Sequence, residues 1–315
     1  MEPLKHGIQP FWFWNGEMED IEIIRQIGEM KTQGLTGFLI HPRQGMEIPY
    51  LSRTFFEKVR VAVKEAKRLG MEVWLYDEFP YPSGISGGKV TLDHPEYACR
   101  ELTKTCRVCQ GGEHVKLYAP WGKVVMARAY PVAGGTCRWE EFKDLTDFIG
   151  CGYRQDVFQM SGLTAYNKKR YFQGDLSQLL DWKAPEGQWK IYVYTERVMR
   201  HFKYFETFID PLNPEAVRYF LKTTHEKYRQ FLGDEFGKTI RGVFTDEVAP
   251  FPPESPWSSL LPGLVKDKFG LDLAACLPAL TEDMGEATAR VRYAYNKVLT
   301  EQFIESWDKQ VYQWC

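Results

Sequence analysis

Acidic side chains stand in adjacent pairs at two points of the sequence, and each pair directly follows an apolar run. Asp77-Glu78 follows Trp74-Leu-Tyr76, and Asp246-Glu247 follows Val243-Phe-Thr245. Two carboxyl groups at one site can divide acid and base roles, because neighbouring charges and burial move their pKa values apart. Glycoside hydrolysis requires such a pair: one carboxylic acid protonates the leaving oxygen and another group attacks or activates water.

Two further apolar runs end in polar side chains. Phe11-Trp-Phe-Trp14 is followed by Asn15, and Phe38-Leu-Ile40 is followed by His41 and Arg43. Histidine and arginine in this position could bind hydroxyl groups or a substrate carboxylate, since a guanidinium presents its donors in a fixed fork. All four runs therefore end in groups that can recognise or transform a ligand.

A metal site is the alternative use of the same carboxylates. Hard divalent cations take several oxygen ligands, which Asp77, Glu78 and Asp246 could supply. The sequence leaves the presence and the identity of a metal open.

The elements that must position these residues follow a strand-then-helix rhythm. Apolar strands are predicted at 11–15, 36–41, 71–76 and 240–245. Ile21, Ile24 and Ile27 at three-residue steps predict a helix over 17–33, and Ser52 is typical of the cap of a second helix that ends at Gly70. This alternation predicts a parallel sheet, in which the carboxyl ends of the strands lie together at one edge.

The rhythm is interrupted in the middle of the chain. Residues 100–206 contain Gly-rich turns and short β-like runs, which indicates an inserted β-rich subdomain. No further strand is expected after Pro250. The predicted fold is α/β of the (β/α)8 TIM-barrel type, with only the first four β/α units in 1–99 and 207–315. A closed barrel takes roughly 250 residues, so the C-terminal half of the barrel becomes an expected partner. An open doubly wound sheet is the rival, but the turn Trp14-Asn-Gly-Glu17 lacks a glycine-rich phosphate loop.

Composition excludes several classes of protein. The chain has 315 residues, with 42 acidic and 40 basic side chains and a formal charge of -2. It therefore lacks the excess of basic side chains with which proteins bind nucleic acid or an anionic membrane. No apolar run approaches the roughly 20 residues of a membrane span, and the first residues lack the apolar stretch of a signal peptide. Seven cysteines at irregular spacing indicate a reducing compartment, so a cytoplasmic location is expected. Aromatic side chains make up 15% of the chain, which suits a large core or a cleft for flat ligands such as sugars.

Several motifs together resemble bacterial glycoside hydrolases of the α-L-rhamnosidase type, family 106 and its unclassified relatives. The motifs that carry this resemblance are Phe11-Trp-Phe-Trp-Asn-Gly16, Gly37-Phe-Leu-Ile-His-Pro-Arg-Gln-Gly45, Trp74-Leu-Tyr-Asp-Glu78 with Pro82-Ser-Gly84, Asp210-Pro-Leu-Asn-Pro-Glu-Ala-Val217 and Gly242-Val-Phe-Thr-Asp-Glu247. The resemblance spans most of residues 8–315.

The resemblance implies a (β/α)8 catalytic domain, inverting hydrolysis by paired glutamates, and calcium in some members. Catalytic roles would then belong to Glu247 and to its neighbour Asp246. The sugar subsite would be lined by Trp14, Asn15, His41, Arg43, Asp77 and Glu78. No cofactor is required for this chemistry, and the expected partner is a carbohydrate substrate.

Two other functions compete with hydrolysis of terminal, rhamnoside-like glycosides. One is a carbohydrate-binding module without catalysis, in which the aromatic side chains and Arg43 hold the ligand. The other is a metal-dependent lyase or isomerase that uses the same strand-end carboxylates.

Overall fold

The structure is a computed structural model that describes residues 6–160 and 169–315. Within these ranges it describes every side chain except those of residues 153–175. In chain order its strands are β1 (Phe11–Trp14), β2 (Gly37–Pro42), β3 (Glu72–Tyr76), β4 (Arg100–Gln110), β5 (His114–Pro120), β6 (Lys123–Ala133), β7 (Thr136–Cys137), β8 (Lys143–Asp144), β9 (Ile149–Met160), β10 (Lys169–Lys183), β11 (Gln188–Val198), β12 (Ile240–Phe244) and β13 (Pro256–Trp257). The α-helices are α1 (Asp20–Thr32), α2 (Arg53–Arg68), α3 (Lys89–Asp93), α4 (Pro214–Thr223), α5 (His225–Leu232), α6 (Leu261–Phe269), α7 (Glu286–Phe303) and α8 (Lys309–Trp314). Within the described residues, none of the helices combines the length and apolar composition that crossing a bilayer requires.

The strands β1, β2, β3 and β12 form a parallel sheet in that order. Phe13 pairs with His41, Ile40 with Leu75, and Phe244 with Tyr76, so neighbouring strands end at the same edge. Parallel neighbours need a crossover connection, usually a helix, and the alternation of strand and helix supplies such connections between β1, β2 and β3.

Helix α2 covers one face of the parallel sheet. Its first turn is capped by Ser52, whose Oγ accepts a hydrogen bond from the Phe55 amide at 3.1 Å. A cap of this kind satisfies one of the amides that the first turn leaves unpaired. The helix then buries Phe55, Phe56 and Val59 against the sheet, as the predicted apolar face requires.

Helix α1 packs on the same face with only some of the expected side chains. Ile23 and Ile27 are buried, whereas Ile21 is 80% exposed and Ile24 43% exposed. The three-residue steps therefore predicted the helix, but of the three isoleucines only Ile27 is buried, and the second buried isoleucine is Ile23.

Antiparallel sheets account for most of the remaining strands, and the predicted (β/α)8 fold is wrong. One sheet has the order β5-β10-β9, and the other follows the path β13-β4-β11-β6-β7, with β8 paired to β6. The turn at Gly134-Gly135 connects β6 and β7, which pair antiparallel without a crossover helix. The described residues thus combine one parallel and two antiparallel sheets, in place of an alternating barrel.

The chain divides into two compact units. The parallel-sheet unit comprises Met1–Cys99, Met199–Pro250 and Gln302–Cys315, and the antiparallel unit comprises Arg100–Val198 and Phe251–Glu301. Residues 1–5 and 161–168 of the predicted domains lie outside the described residues. The predicted assignment of 207–315 to a catalytic domain and 100–206 to an insertion stays a prediction.

The antiparallel unit has its own core and its own internal links. Its core includes Trp182, Trp189 and Ile191. A strand is present after Pro250, because β13 pairs antiparallel with β4, and Trp257 donates from Nε1 to Oε2 of Glu196 at 2.7 Å. The expectation of no further strand after Pro250 was therefore wrong, because a two-residue strand is too short to show a periodic pattern.

Candidate functional site

The carboxyl edge of the parallel sheet brings the four predicted strand ends next to one another. Strands β1, β2, β3 and β12 end at Trp14, Pro42, Tyr76 and Phe244. Ligands of open α/β sheets bind outside this edge. The positions of the individual side chains there separate those that face a ligand from those that hold the backbone.

An aromatic surface lies on the sheet face at β1 and β2. The His41 ring stacks on Tyr76 with 3.7 Å between ring centroids and meets the edges of Phe11 and Phe13 at 5.6 Å and 5.1 Å. Phe11 and Phe13 are each about half exposed, at 49% and 48%. Flat apolar rings of this kind can pack against the carbon-bound hydrogens of a sugar.

His41 is held as a neutral hydrogen-bond acceptor. Burial lowers the pKa of its imidazole below the usual value. Its Nδ1 lies 3.0 Å from the Pro42 carbonyl oxygen, and because a carbonyl only accepts, Nδ1 carries the proton of the neutral ring. Nε2 is then an acceptor.

Arg43 lies against two aromatic rings at the end of β2. Its Cζ is 5.1 Å from the centroid of Phe13 and 5.0 Å from that of Tyr81. Its amide donates to the Trp14 carbonyl at 3.0 Å, which ties the ends of β1 and β2 together.

Glu247 is the exposed carboxylate of the edge. Its side chain is 56% exposed and accepts a hydrogen bond from Lys203 Nζ at 2.6 Å. Lys203 also lies over the ring of Tyr81, 4.4 Å from its centroid. The backbone of Glu247 has a φ of 51°, the left-handed region that costs a non-glycine residue energy and is found most often at functional turns.

Asp246 is fixed by its neighbours. Tyr76 donates from its hydroxyl to Asp246 Oδ2 at 2.6 Å. The backbone of Asp246 bonds Ser83 in both directions, with the Asp246 amide donating to Ser83 Oγ at 2.8 Å and the Ser83 amide donating to the Asp246 carbonyl at 2.9 Å. The turn that carries Glu247 is thereby anchored to the segment after β3.

Asp77 lies beneath this turn, fully buried. It accepts hydrogen bonds from the hydroxyls of Ser83 and of Thr245, the latter at 2.7 Å. Burial raises the pKa of Asp77 to about 7, and the charge of Glu78 adds to the shift. His225 Nε2 lies 3.5 Å from Asp77 Oδ2, but burial lowers the pKa of His225 to about 3, so it is neutral near pH 7. Asp77 therefore holds the turn and does not face solvent.

Glu78 is also fully buried, and its carboxylate serves the backbone. It accepts hydrogen bonds from five amides, those of Phe79, Gly84, Ile85, Ser86 and Gly87. Burial raises the pKa of Glu78 to about 7, against the opposing effect of these donors. Its oxygen atoms are thus occupied by the loop that follows β3.

The side chains of Trp14 and Asn15 border a different space from that at Glu247. Trp14 is 1% exposed and meets Trp12 and Phe55 edge to face, within the core between sheet and helices. Asn15 is exposed and, with Trp14, lines a cavity of about 330 Å³ between the end of β1 and the start of α1. The burial of Trp14 in the core thus keeps its side chain from a sugar at the sheet edge, whereas Asn15 is accessible beside this cavity.

The carboxylates do not fit a calcium site. Calcium takes about six to eight oxygen ligands, whereas five amides already occupy the Glu78 carboxylate and Asp77 is fully buried beneath two hydroxyl donors, so Asp246 is the one carboxylate of the three with most of its acceptor sites open. Among the described side chains, no group of three or more His, Cys, Asp or Glu is placed so that it could hold a metal ion.

Sequence reasoning missed the residues that connect the site. Tyr81 and Ser83 belong to the Pro-Tyr-Pro-Ser-Gly run after β3, whose prolines and glycine signalled a special turn without indicating its contacts. Lys203 and Tyr204 lie in an irregular segment that carries no periodic pattern. Tyr204 meets Tyr81 edge to face at 5.4 Å.

Comparison with known proteins shows a likeness at the level of the fold. No family model matches the chain, and no curated protein does. Among solved structures, the chain is similar to a rhamnosidase from Novosphingobium sp. PP1Y, with 15% sequence identity and a TM-score of 0.55. The match covers 95% of this chain and 44% of the rhamnosidase chain. The chain thus has a rhamnosidase-like fold and spans less than half the length of that protein.

Proposed function

We propose that this chain forms part of a glycoside hydrolase that cleaves terminal, rhamnoside-like glycosidic bonds by carboxylate acid–base catalysis. The observation that carries the proposal is Glu247: an exposed carboxylate at the carboxyl edge of the parallel sheet, held by Lys203 beside the ring of Tyr81. The rhamnosidase-like fold supports the same class of chemistry.

In this proposal Glu247 exchanges the proton or activates the water at the scissile bond. Its side chain is 56% exposed, so solvent and a ligand can reach it. Asp246 is the second catalytic carboxyl group, and the Tyr76 hydroxyl holds it in one orientation. Asp77 and Glu78 act as positioning residues, because their oxygens bond Thr245 and the loop amides.

Substrate binding falls to the groups around Glu247. The half-exposed rings of Phe11 and Phe13 suit the apolar face of a sugar, and neutral His41 can accept a hydroxyl hydrogen through Nε2. Arg43 supplies donors at the same edge.

A carbohydrate-binding module without catalysis is the second candidate. The ion pair between Lys203 and Glu247 favours it, because a carboxylate engaged by a cation can serve as a structural anchor for a binding surface. A metal-dependent lyase or isomerase is less well supported, since hydrogen-bond donors already occupy the carboxylates it would need.

The test is turnover and binding of p-nitrophenyl glycosides, with α-L-rhamnoside as the first substrate. Wild type and Glu247→Gln are assayed side by side, with isothermal titration of the unhydrolysed sugar. Turnover that is lost in Glu247→Gln while binding remains supports hydrolysis. Binding without turnover in wild type supports the binding module and overturns the catalytic proposal.

A further inference from the structure

Arg43 holds its guanidinium in place without using its hydrogen-bond donors. Contacts with the rings of Phe13 and Tyr81, at 5.1 Å and 5.0 Å, orient the group. Among the described side chains, the Arg43 guanidinium has these ring contacts and no hydrogen bond or ion pair. A guanidinium has five N–H donors and no acceptor, so a group arranged in this way is ready for an anion.

The charged groups around Arg43 already have partners of their own. Lys203, on the same ring of Tyr81, is paired with Glu247 at 2.6 Å. Asp246 accepts from Tyr76, and burial lowers the pKa of His41 so that it is neutral near pH 7. Arg43 is therefore a cation without a carboxylate partner among the side chains that the structure describes.

We propose that Arg43 binds the carboxylate of an acidic sugar, and that the substrate of this site contains a uronic acid unit. The proposal rests on the proposed function and adds the substrate class to it. A carboxylate is planar and accepts two parallel hydrogen bonds from the edge of a guanidinium, which makes Arg the side chain best matched to it. The hydroxyls of a neutral sugar would leave the charge of Arg43 without a partner.

The ring of Tyr81 connects Arg43 to the carboxylate that the proposed function makes catalytic. Arg43 and Lys203 both contact the ring of Tyr81, and Lys203 holds Glu247. One aromatic ring thus joins the group that would receive the acidic substituent to the group that would act on the glycosidic bond. Phe13, half exposed on the other side of Arg43, supplies an apolar surface for the same sugar ring.

The experiment compares a sugar acid with its uncharged ester. The chain is titrated by calorimetry with methyl glucuronoside, with the methyl ester of the same compound, and with methyl α-L-rhamnoside. Wild type is expected to bind the acid more tightly than the ester. Arg43→Gln should weaken binding of the acid by roughly 10- to 100-fold, the usual loss for hydrogen bonds to a charged group, and weaken binding of the uncharged ester much less.

Two further variants guard against a general loss of structure. Arg43→Lys keeps the charge and loses the fork, so its affinity for the acid should lie between wild type and Arg43→Gln. Arg53→Gln, on the exposed face of α2 where Arg53 pairs with Glu57, is the matched control and should bind the acid as wild type does. Equal thermal unfolding of the variants establishes that they fold.

The outcomes separate this inference from the proposed function. Equal affinity for acid and ester in wild type, together with binding or turnover of the rhamnoside, overturns the carboxylate site alone. Failure to bind any of the three sugars overturns the proposed function as well. Tighter binding of inorganic sulfate than of the acid, lost in Arg43→Gln, assigns Arg43 to sulfate and also overturns the uronate proposal.

Discussion

The two adjacent acid pairs, Asp77-Glu78 after β3 and Asp246-Glu247 after β12, occupy equivalent positions at the ends of neighbouring strands. The first pair is fully buried, and its oxygens accept from hydroxyls and from five loop amides. In the second pair, Asp246 accepts from Tyr76 and Glu247 is 56% exposed beside Lys203. The same sequence pattern therefore produces buried carboxylates that hold a loop at one strand and an exposed carboxylate at the next.

The chain that follows each pair makes the difference. After Glu78 the segment up to Gly87 turns back so that its amides converge on the carboxylate, with Gly84 and Gly87 at positive φ values of 142° and 64°. After Glu247 no described amide donates to the side chain, and its partner is the flexible Lys203. The number of fixed donors around a carboxylate thus separates a structural from a reactive acid more clearly than its place on a strand.

The largest expected effect is on turnover by Glu247→Gln. The amide keeps the shape of the side chain but cannot exchange a proton, so kcat should fall roughly 100- to 10,000-fold, the usual contribution of a positioned acid or base. Steady-state kinetics on the best glycoside measures it. Near-normal turnover in this variant would remove Glu247 from the mechanism, whereas Asp246→Asn should reduce kcat less if Asp246 chiefly orients its neighbour.

Glu78→Ala should have the largest effect on folding. It leaves five loop amides without their acceptor, and each buried donor without a partner costs roughly 1–3 kcal/mol, not fully additively. We expect a loss of at least about 3 kcal/mol in the free energy of unfolding, measured in urea. Glu247→Ala, the matched change in the exposed pair, should cost less than about 1 kcal/mol. Similar losses in both variants would mean that the two pairs are equivalent.

Asp77→Asn should change how stability depends on pH. The pKa of Asp77 is about 7 in the folded chain and about 3.9 when unfolded, so the folded state binds more protons between these values and stability falls as pH rises from about 4 to about 7. The amide introduced by the substitution cannot ionise. As pH rises over this range, the free energy of unfolding of the variant should therefore increase relative to that of wild type, by at most about 1.4 kcal/mol per unit of pKa shift.

The buried His225 changes the pH dependence of stability in the opposite direction, so its contribution must be separated from that of Asp77. Its lowered pKa, about 3, makes stability rise with pH up to about 6.5 in wild type and variant alike, so the difference between the two curves isolates Asp77. Asp308→Asn, at an exposed position, is the control and should follow wild type. A difference between wild type and Asp77→Asn that stays constant from pH 4 to pH 8 would contradict the raised pKa.

Much of the parallel sheet could be predicted, because its strands are apolar and its helices have periodic faces and a recognisable cap at Ser52. The buried side of α1 could not, since isoleucines occur on more than one face and only packing against the sheet selects Ile23 and Ile27 over Ile21. The antiparallel sheets were expected only as a β-rich region. Their strands, such as β4, carry many half-exposed side chains, which weakens the alternation that would have revealed their length.

The sequence predicted which types of residue form the candidate site, but it did not predict which of them are buried. The pattern of strand ends identified Arg43, which lies over the ring of Tyr81, and Glu247, which pairs with the Lys203 that lies over the same ring. It could not distinguish Trp14, which is buried in the core, because a tryptophan at a strand end suits a core as well as a cleft. The ring itself, Tyr81, and Lys203 came from segments without periodic patterns, where only the folded chain brings residues together.

Lys203→Met should have the smallest effect, and it tests whether the ion pair between Lys203 and Glu247 contributes to the stability of the fold. The ion pair joins side chains that are 34% and 56% exposed, and such pairs contribute less than about 1 kcal/mol because solvent screens them. Methionine keeps contact with Tyr81 but loses the charge. The free energy of unfolding in urea should change by less than about 1 kcal/mol, and the change should shrink further in about 1 M salt, where screening acts over only about 3 Å. A loss as large as that of Glu78→Ala would show that Glu247 is held as a structural acid, and the contrast between the two pairs would no longer separate folding from chemistry.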